Sequence, residues 1–458
     1  MGGVWQRISV PAALSLLVAG LLAQPAWARV TADEAARLGK DLTPLGAEQA
    51  GNAEGTIPAW DGGLTTPPAG FQPGQHRIDP FPDDQPLFVI DAGNVAQYAD
   101  RLSPGQVAMI QRYPDSWRLP VYPTRRTAAF PERVYQATLR NATTAELVEG
   151  GNGIASAGEG PAFPMPQNGL EAVWNHLTRY RADTIVREYA QIVPTAGGTY
   201  TEVRIKEDIL LNYAQEGATV ESIDNILGYF IQEVTAPARL AGEILLVHET
   251  LNQKAQSRQA WVYNPGQRRV RRAPNVAYDN PGTASDGQRT SDDLDMFNGA
   301  PDRYDWELVG KRELYVPYNN YRLGASDLRH SDVIQAGHLN PQHLRYELHR
   351  VWEVRGTLKD GTSHIYAQRT FFIDEDSWQI LVADMYDARG ELWRVAEAYA
   401  ITYYDVPTLL DQAFAVYDLQ NGRYLVFGLN NELPAKRFNQ DNLSPADFNP
   451  NAIRRRGR

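Results

Sequence analysis

Residues 345–404, RYELHRVWEVRGTLKDGTSHIYAQRTFFIDEDSWQILVADMYDARGELWRVAEAYAITYY, decide the fold. They read as four successive strands with turn signals between them. In the first, Tyr346, Leu348, Trp352, Val354 and Leu358 are apolar while Arg345, Glu347, His349, Glu353, Arg355 and Lys359 alternate with them, which predicts one buried and one wet face. Arg350 is the exception on the apolar face. Asp360-Gly361 predicts a tight hairpin, because both central residues of a type I′ turn need positive φ. Ser363–Ile373 is then the return strand, with Ile365, Ala367, Phe371 and Ile373 on one side. Asp374-Glu375-Asp376 and Asp387-Ala388-Arg389-Gly390 turn the chain into Trp378–Tyr386 and Glu391–Tyr404. A strand of about fourteen residues is roughly 46 Å long, and twisted sheets of that size curl. The expected fold is mainly β (α+β): a large curved antiparallel sheet or half-open barrel, with helices covering its concave face. Such a face is filled by its own side chains, by a covering helix or by a ligand.

The chain has 458 residues, 43% hydrophobic and 22% charged, enough for one large domain or two. It opens with one positive charge at Arg7, an apolar run from Ile8 to Ala23 and a small-x-small site at Ala26-Trp27-Ala28. This pattern predicts a cleavable signal peptide over residues 1–28. The mature chain is expected to be soluble and, in a double-membraned host, periplasmic. There is no cysteine, so neither disulfides nor a lipid-anchoring cysteine are available. No later apolar run reaches the length of a membrane span. A net charge of −11 argues against nucleic acid as a partner.

Outward from the central stretch, residues 29–160 are expected to form an extended and helical segment wrapping the sheet, and residues 161–458 the half-barrel with a basic tail. Thr31 and Glu34 make a capping box, Ser103-Pro104 starts a helix, and Arg133–Arg140 reads as a strand. Leu170, Val173, Trp174 and Leu177 have helical spacing, and alternating strands follow from Thr184. Residues 279–303 form a long polar loop, a feature often tied to function.

Several of these stretches, in order, resemble a proteobacterial family of exported proteins labelled as a domain of unknown function. They are LTPLGAEQAGNAEGTIPAW, WVYNPGQRRVRRAP, SDDLDMFNGAPDRYDWELVGKRELYVPYN, RYELHRVWEVRGTLKDG and HIYAQRTFFIDEDSW. The resemblance covers nearly the whole mature chain, and that family is distantly similar to the LolA and LolB lipoprotein carriers. It implies a half-open barrel with a helical lid over an apolar cavity. It also implies a carrier for a lipid, lipoprotein or other hydrophobic molecule, working with an inner- or outer-membrane transporter component of the resistance-nodulation-division type. It supplies no catalytic residues.

Candidate cavity residues are the strand aromatics Trp261, Tyr263, Trp306, Tyr346, Trp352, Tyr366, Phe372, Trp378, Trp393 and Tyr399. Aromatics also favour strands for packing alone. Arg268, Arg269, Arg271 and Arg272 are candidates for docking a partner, since guanidinium matches carboxylate and phosphate bidentately; a charged edge strand is the plainer account. Asp292, Asp293, Asp295 and Asn298 carry hard-cation oxygens, but their spacing does not match an EF-hand and no metal is expected. There is no HExxH, G-x-S-x-G or phosphate-binding glycine pattern, and no cofactor is expected. The alternatives are an enzyme acting on a cell-envelope glycan or lipid, which predicts convergent titratable groups in the main cleft, and a non-catalytic scaffold docking a transporter.

Overall fold

The computed structural model describes residues 1–3, 30–274, 276–440 and 442–457. The expected signal peptide, apart from its first three residues, lies outside them. Four short strands come first: β1 (Phe88–Ile90), β2 (Leu119–Val121), β3 (Glu146–Val148) and β4 (Gly153–Ala155). A meander follows, of β5 (Thr184–Ile192), β6 (Glu202–Leu210), β7 (Ile226–Ala236), β8 (Ile244–Thr250), β9 (Gln259–Asn264) and β10 (Arg269–Arg272). After the long loop come β11 (Tyr304–Pro317), β12 (Tyr346–Leu358), β13 (Gln368–Asp374), β14 (Ile380–Tyr386) and β15 (Leu392–Thr402). The set ends with β16 (Leu409–Asp418), β17 (Tyr424–Leu429) and β18 (Arg437–Phe438). The helices are α1 (Ala32–Ala35), α2 (Val95–Tyr98), α3 (Pro104–Arg112), α4 (Glu132–Thr144), α5 (Gly169–Thr178), α6 (His330–Val333) and α7 (Pro450–Arg456).

Sixteen strands form one open sheet in the order β1-β2-β12-β13-β14-β15-β16-β17-β5-β6-β7-β8-β9-β10, with β11 also on β12 and β18 on β5. It does not close into a barrel. The two meanders meet where β17 pairs antiparallel with β5, so the chain's second half completes the sheet begun by its first. All its ladders are antiparallel except the contact of β2 with β12 at Tyr346.

The central strands are buried on both faces. Along β16 and β17, Phe414, Val416, Leu425 and Phe427 enter one apolar cluster, and Ala413, Ala415, Tyr417, Tyr424 and Val426 enter the other. Val134 of α4 and Val173, Trp174 and Leu177 of α5 pack into the first cluster. Val95 of α2 and Met109 and Ile110 of α3 pack into the second. The sheet is therefore a middle layer with helices on both sides.

Three local expectations are corrected. Arg133–Arg140 is helical, inside α4, because its buried residues Val134, Ala137, Thr138 and Asn141 recur at helical spacing; its β-prone Val, Tyr and Thr content misleads. Asp360-Gly361 does turn, with Gly361 at φ 78°, but β13 starts at Gln368 and not near Ser363. The intervening residues leave the ladder because His364 and Tyr366 turn to Asp292 (3.1 Å) and Asp293 (3.0 Å) of the long loop. The expected wet face of β12 is dry at its start, where Glu347 accepts from Arg345 (2.6 Å), Asn319 (2.9 Å) and the Arg125 N–H (2.7 Å). Alternation placed those side chains on one face, and the N-terminal segment covers them.

That segment is fixed by Arg126. Its guanidinium donates to both oxygens of Asp376 (2.9 and 2.7 Å), and to the carbonyls of Glu48 (2.7 Å), Gln49 (3.2 Å) and Pro58 (3.3 Å). Trp378 adds an indole N–H to the Leu45 carbonyl at 3.0 Å.

Candidate functional site

A cavity of about 110 Å³ lies on the α5 side of the sheet. Its floor comes from β5–β8, β16 and β17, through side chains such as Ile185, Ile209, Leu227, Phe230, Phe414 and Phe427. Trp174 and Leu177 of α5 and Leu294, Phe297 and Asn298 of the long loop close it over. The loop is held there by buried charges. Arg369 pairs with Asp292 at 2.8 Å, and Asp295 receives Arg179 (2.5 Å) and Arg181 (2.6 Å). Burial opposes the Asp295 charge, but those two guanidinium groups hold its carboxyl well below the usual range.

Titratable groups do converge on the cavity: Arg181, Arg187, Glu207, Glu249, Asp295, Asp411 and Lys436 line it. Most are already committed. Arg187 pairs with Glu207, Arg181 with Asp295, and Glu249 with Arg258 at 2.7 Å. Burial works against the Arg187 charge, yet Glu207 outweighs it and raises the guanidinium above its ordinary value. Burial pushes the Lys436 ammonium down to about 7. The three protons of the ammonium have acceptors in Tyr403 Oη (2.9 Å) and the carbonyls of Asp411 (2.9 Å) and Gln412 (3.0 Å), so none is left to point into the cavity. The Asp411 carboxylate stands apart. The residue is 8% exposed, lines the cavity, and has no hydrogen-bond or ion-pair partner among the described residues.

The ten aromatics read from the strands are divided between both faces, and the main cavity is lined by others. Tyr346 and Tyr399 are fully buried on the α3 side, where both hydroxyls donate to Glu397 (2.6 and 3.0 Å). Tyr366, Phe372 and Trp378 are fully buried on the α5 side. Trp306 stacks on Phe371 with centroids 5.6 Å apart, and Trp393 donates to Asp418 at 2.9 Å. Trp261 and Tyr263 pack under α7 with Phe448 and Ile453. Trp352 borders a separate groove of about 500 Å³ beneath the N-terminal segment, beside Leu42, Met165 and Lys311.

The cavity aromatics not among the candidates read from the strands are Trp174, which the helical spacing of α5 does place, and Tyr229, Phe230, Phe297, Phe414 and Phe427. A signal for Phe414 and Phe427 was available: Leu409–Asp418 and Tyr424–Leu429 are near-continuous apolar runs, the mark of strands buried on both faces.

Among the described residues, two groups bring a histidine's nitrogen within 4.8 Å of two carboxylate oxygens: Glu202, His330 and Glu432, and the buried His349, Asp374 and Asp376. Their donors are engaged, Glu202 by Arg204 (2.9 Å) and Asp376 by Arg126. Arg269, Arg271 and Arg272 are exposed on β10, with Arg268 at φ 51° in the turn before it.

A family model described as "Protein of unknown function (DUF1329)" matches residues 89–454. An uncharacterized protein of Pseudomonas aeruginosa is 53% identical over 443 residues, covering 96% of this chain and 97% of that one. Among solved structures, the chain is similar to a putative outer membrane lipoprotein-sorting protein domain from Vibrio parahaemolyticus (TM-score 0.42, 16% identity, 62% of this chain and 98% of that one). It is also similar to a DUF1329 family protein from Desulfovibrio piger (TM-score 0.41, 16% identity, 60% and 92%). A LolA superfamily protein from Nitrosomonas europaea aligns at TM-score 0.35 and 12% identity, over 60% and 94%.

Proposed function

The chain belongs to the DUF1329 family, and from that premise we propose that it is a periplasmic carrier or binding protein for an amphipathic molecule with an alkyl chain. The observation that carries the reading is the cavity between the sheet, α5 and the long loop, lined by aliphatic and aromatic side chains with paired charges among them and with Asp411, whose carboxylate accepts no side-chain hydrogen bond among the described residues, in its wall. That carboxylate faces the charges of Lys436 and Arg187, so a ligand group that donates to it gains a charge-assisted bond. About 110 Å³ is well below the ~300–1,000 Å³ of pockets for drug-sized molecules, so the occupant is a single narrow chain or the end of one. The periplasmic setting rests on the leader-like first 28 residues. No helix among the described residues is long and apolar enough to cross a membrane.

The enzyme reading has less support. Acid-base chemistry needs two groups free to exchange protons with a substrate, and the ion pairs around the cavity leave Asp411 alone in that position.

The test is mass spectrometry of organic extracts from the mature protein purified without detergent from its native envelope, with Leu227→Trp beside it. Leu227 is half-buried at the cavity wall, so an indole there occupies the space an alkyl chain needs. A stoichiometric amphiphile is expected in the unaltered protein. The variant is expected to bind it at least about tenfold more weakly, the equivalent of ~1.4 kcal/mol, without a matching loss of stability. Equal occupancy in the variant overturns the assignment of this cavity, and a folded protein free of any such species overturns the carrier reading.

A further inference from the structure

α7 packs beside β8, β9 and β10 at the far edge of the sheet. Ala452 and Ile453 of the helix are buried there, and Tyr263 of β9 donates its hydroxyl to the Gly457 carbonyl at 2.6 Å. The packing brings together two arginine runs that lie far apart in sequence. Arg268, Arg269, Arg271 and Arg272 come from the outer strand and the turn before it, and Arg454, Arg455 and Arg456 from the helix. All seven are exposed. Arg456 pairs with Asp208 at 2.7 Å, and none of the other six has a carboxylate within ion-pair distance among the described residues.

A chain of net charge −11 thus carries one corner of strongly positive charge. Protection of a sheet edge from aggregation accounts for charge on β10 but not for three more arginines on the adjoining helix. The arrangement also differs from a pocket for one anion. Arg269 and Arg271 project from one face of β10 and Arg272 from the other, and three consecutive helix positions spread over roughly 200°. Long, flexible side chains spread along one edge in this way reach several separate phosphates and do not converge on one.

We propose that the corner formed by β10 and α7 docks the protein on an anionic phospholipid surface. Each arginine near such a surface strengthens partitioning about fivefold, and the attraction weakens with salt. The surface does not depend on what the cavity holds.

The test is co-sedimentation of the full mature chain with vesicles of phosphatidylglycerol mixed with phosphatidylethanolamine, against vesicles of phosphatidylcholine alone. Binding to the anionic vesicles is expected, declining as salt rises. Replacement of Arg268, Arg269, Arg271 and Arg272 together by Gln should weaken it at least about 100-fold. The pair Arg454→Gln and Arg455→Gln, which leaves the sheet untouched, should weaken it about tenfold or more. The proposal is overturned by equal binding to both vesicle types, by variants that bind as the parent does, or by a parent that ignores vesicles and binds poly-glutamate instead.

Discussion

Arg126→Met is expected to destabilise the fold by about 3–5 kcal/mol, read as a lowered midpoint at unchanged slope in urea unfolding. The Arg126 side chain is 2% exposed and that of Asp376 3%. Removing the guanidinium leaves a buried carboxylate without its bidentate partner, beside Glu375 and Asp374. Burial alone disfavours the Arg126 charge, but these carboxylates reverse that and raise it above the ordinary arginine value. The same substitution takes donors from the carbonyls of Glu48, Gln49 and Pro58, so the N-terminal segment loses its main polar tie to the sheet. Faster proteolysis near residues 48–60 should accompany the loss. Pairing the change with Asp376→Leu is expected to recover much of the stability, because no buried charge is then left alone. A single variant within about 1 kcal/mol of the parent would show that the clamp is incidental.

Asp384→Asn is expected to remove a contribution to stability that is lost as pH rises from about 4 through 7. Asp384 is fully buried under α3, accepting from the Gly105 N–H (2.9 Å) and the Ser103 hydroxyl (3.0 Å). Burial raises its carboxyl from 3.8 to about 7, against the lowering effect of those two donors. The folded state therefore holds this proton more tightly than the unfolded chain does. The contribution is complete below about pH 4 and is lost as pH rises through 7, amounting to up to about 4 kcal/mol. Asp374, raised to about 7 by burial and by Asp376, acts in the same direction and leaves a residual slope in the variant. Other shifted groups share the window: burial also raises the Glu397 carboxyl, in the same direction, whereas burial pushes the His176 imidazole from 6.5 down to about 3, a contribution that grows as pH rises between those values, so the decisive quantity is the difference between variant and parent. Unfolding free energies at pH 5 and pH 8 decide the matter. A variant with the parent's pH slope would remove Asp384 as the source.

The groove bordered by Trp352 and the cavity bordered by Phe414 show how far side-chain type can be read without a structure. Trp352 was identifiable because alternation in β12 exposes its period and hence its face. Phe414 was not singled out, because in Leu409–Asp418 every residue is buried and no period marks a side. Likewise Arg345, Glu347 and His349 are a polar face by period and buried residues by structure. Periodicity reports which side chains point the same way, and it is silent on what comes to cover them.

The sequence by itself determined the dominant element, an open, largely antiparallel sheet with long β12 and β15, since alternation and turn chemistry are local properties of the chain. It also determined α3 and α5, through Ser103-Pro104 as a helix start and the helical spacing of Leu170, Val173, Trp174 and Leu177. The tertiary structure alone decided the joining of β17 to β5, the helices on both faces, the closing of the cavity by residues 279–303 and the meeting of α7 with β10. Each of these joins residues far apart in the chain, and which partners meet is settled by burial and charge pairing across the whole fold, a sum no short window contains.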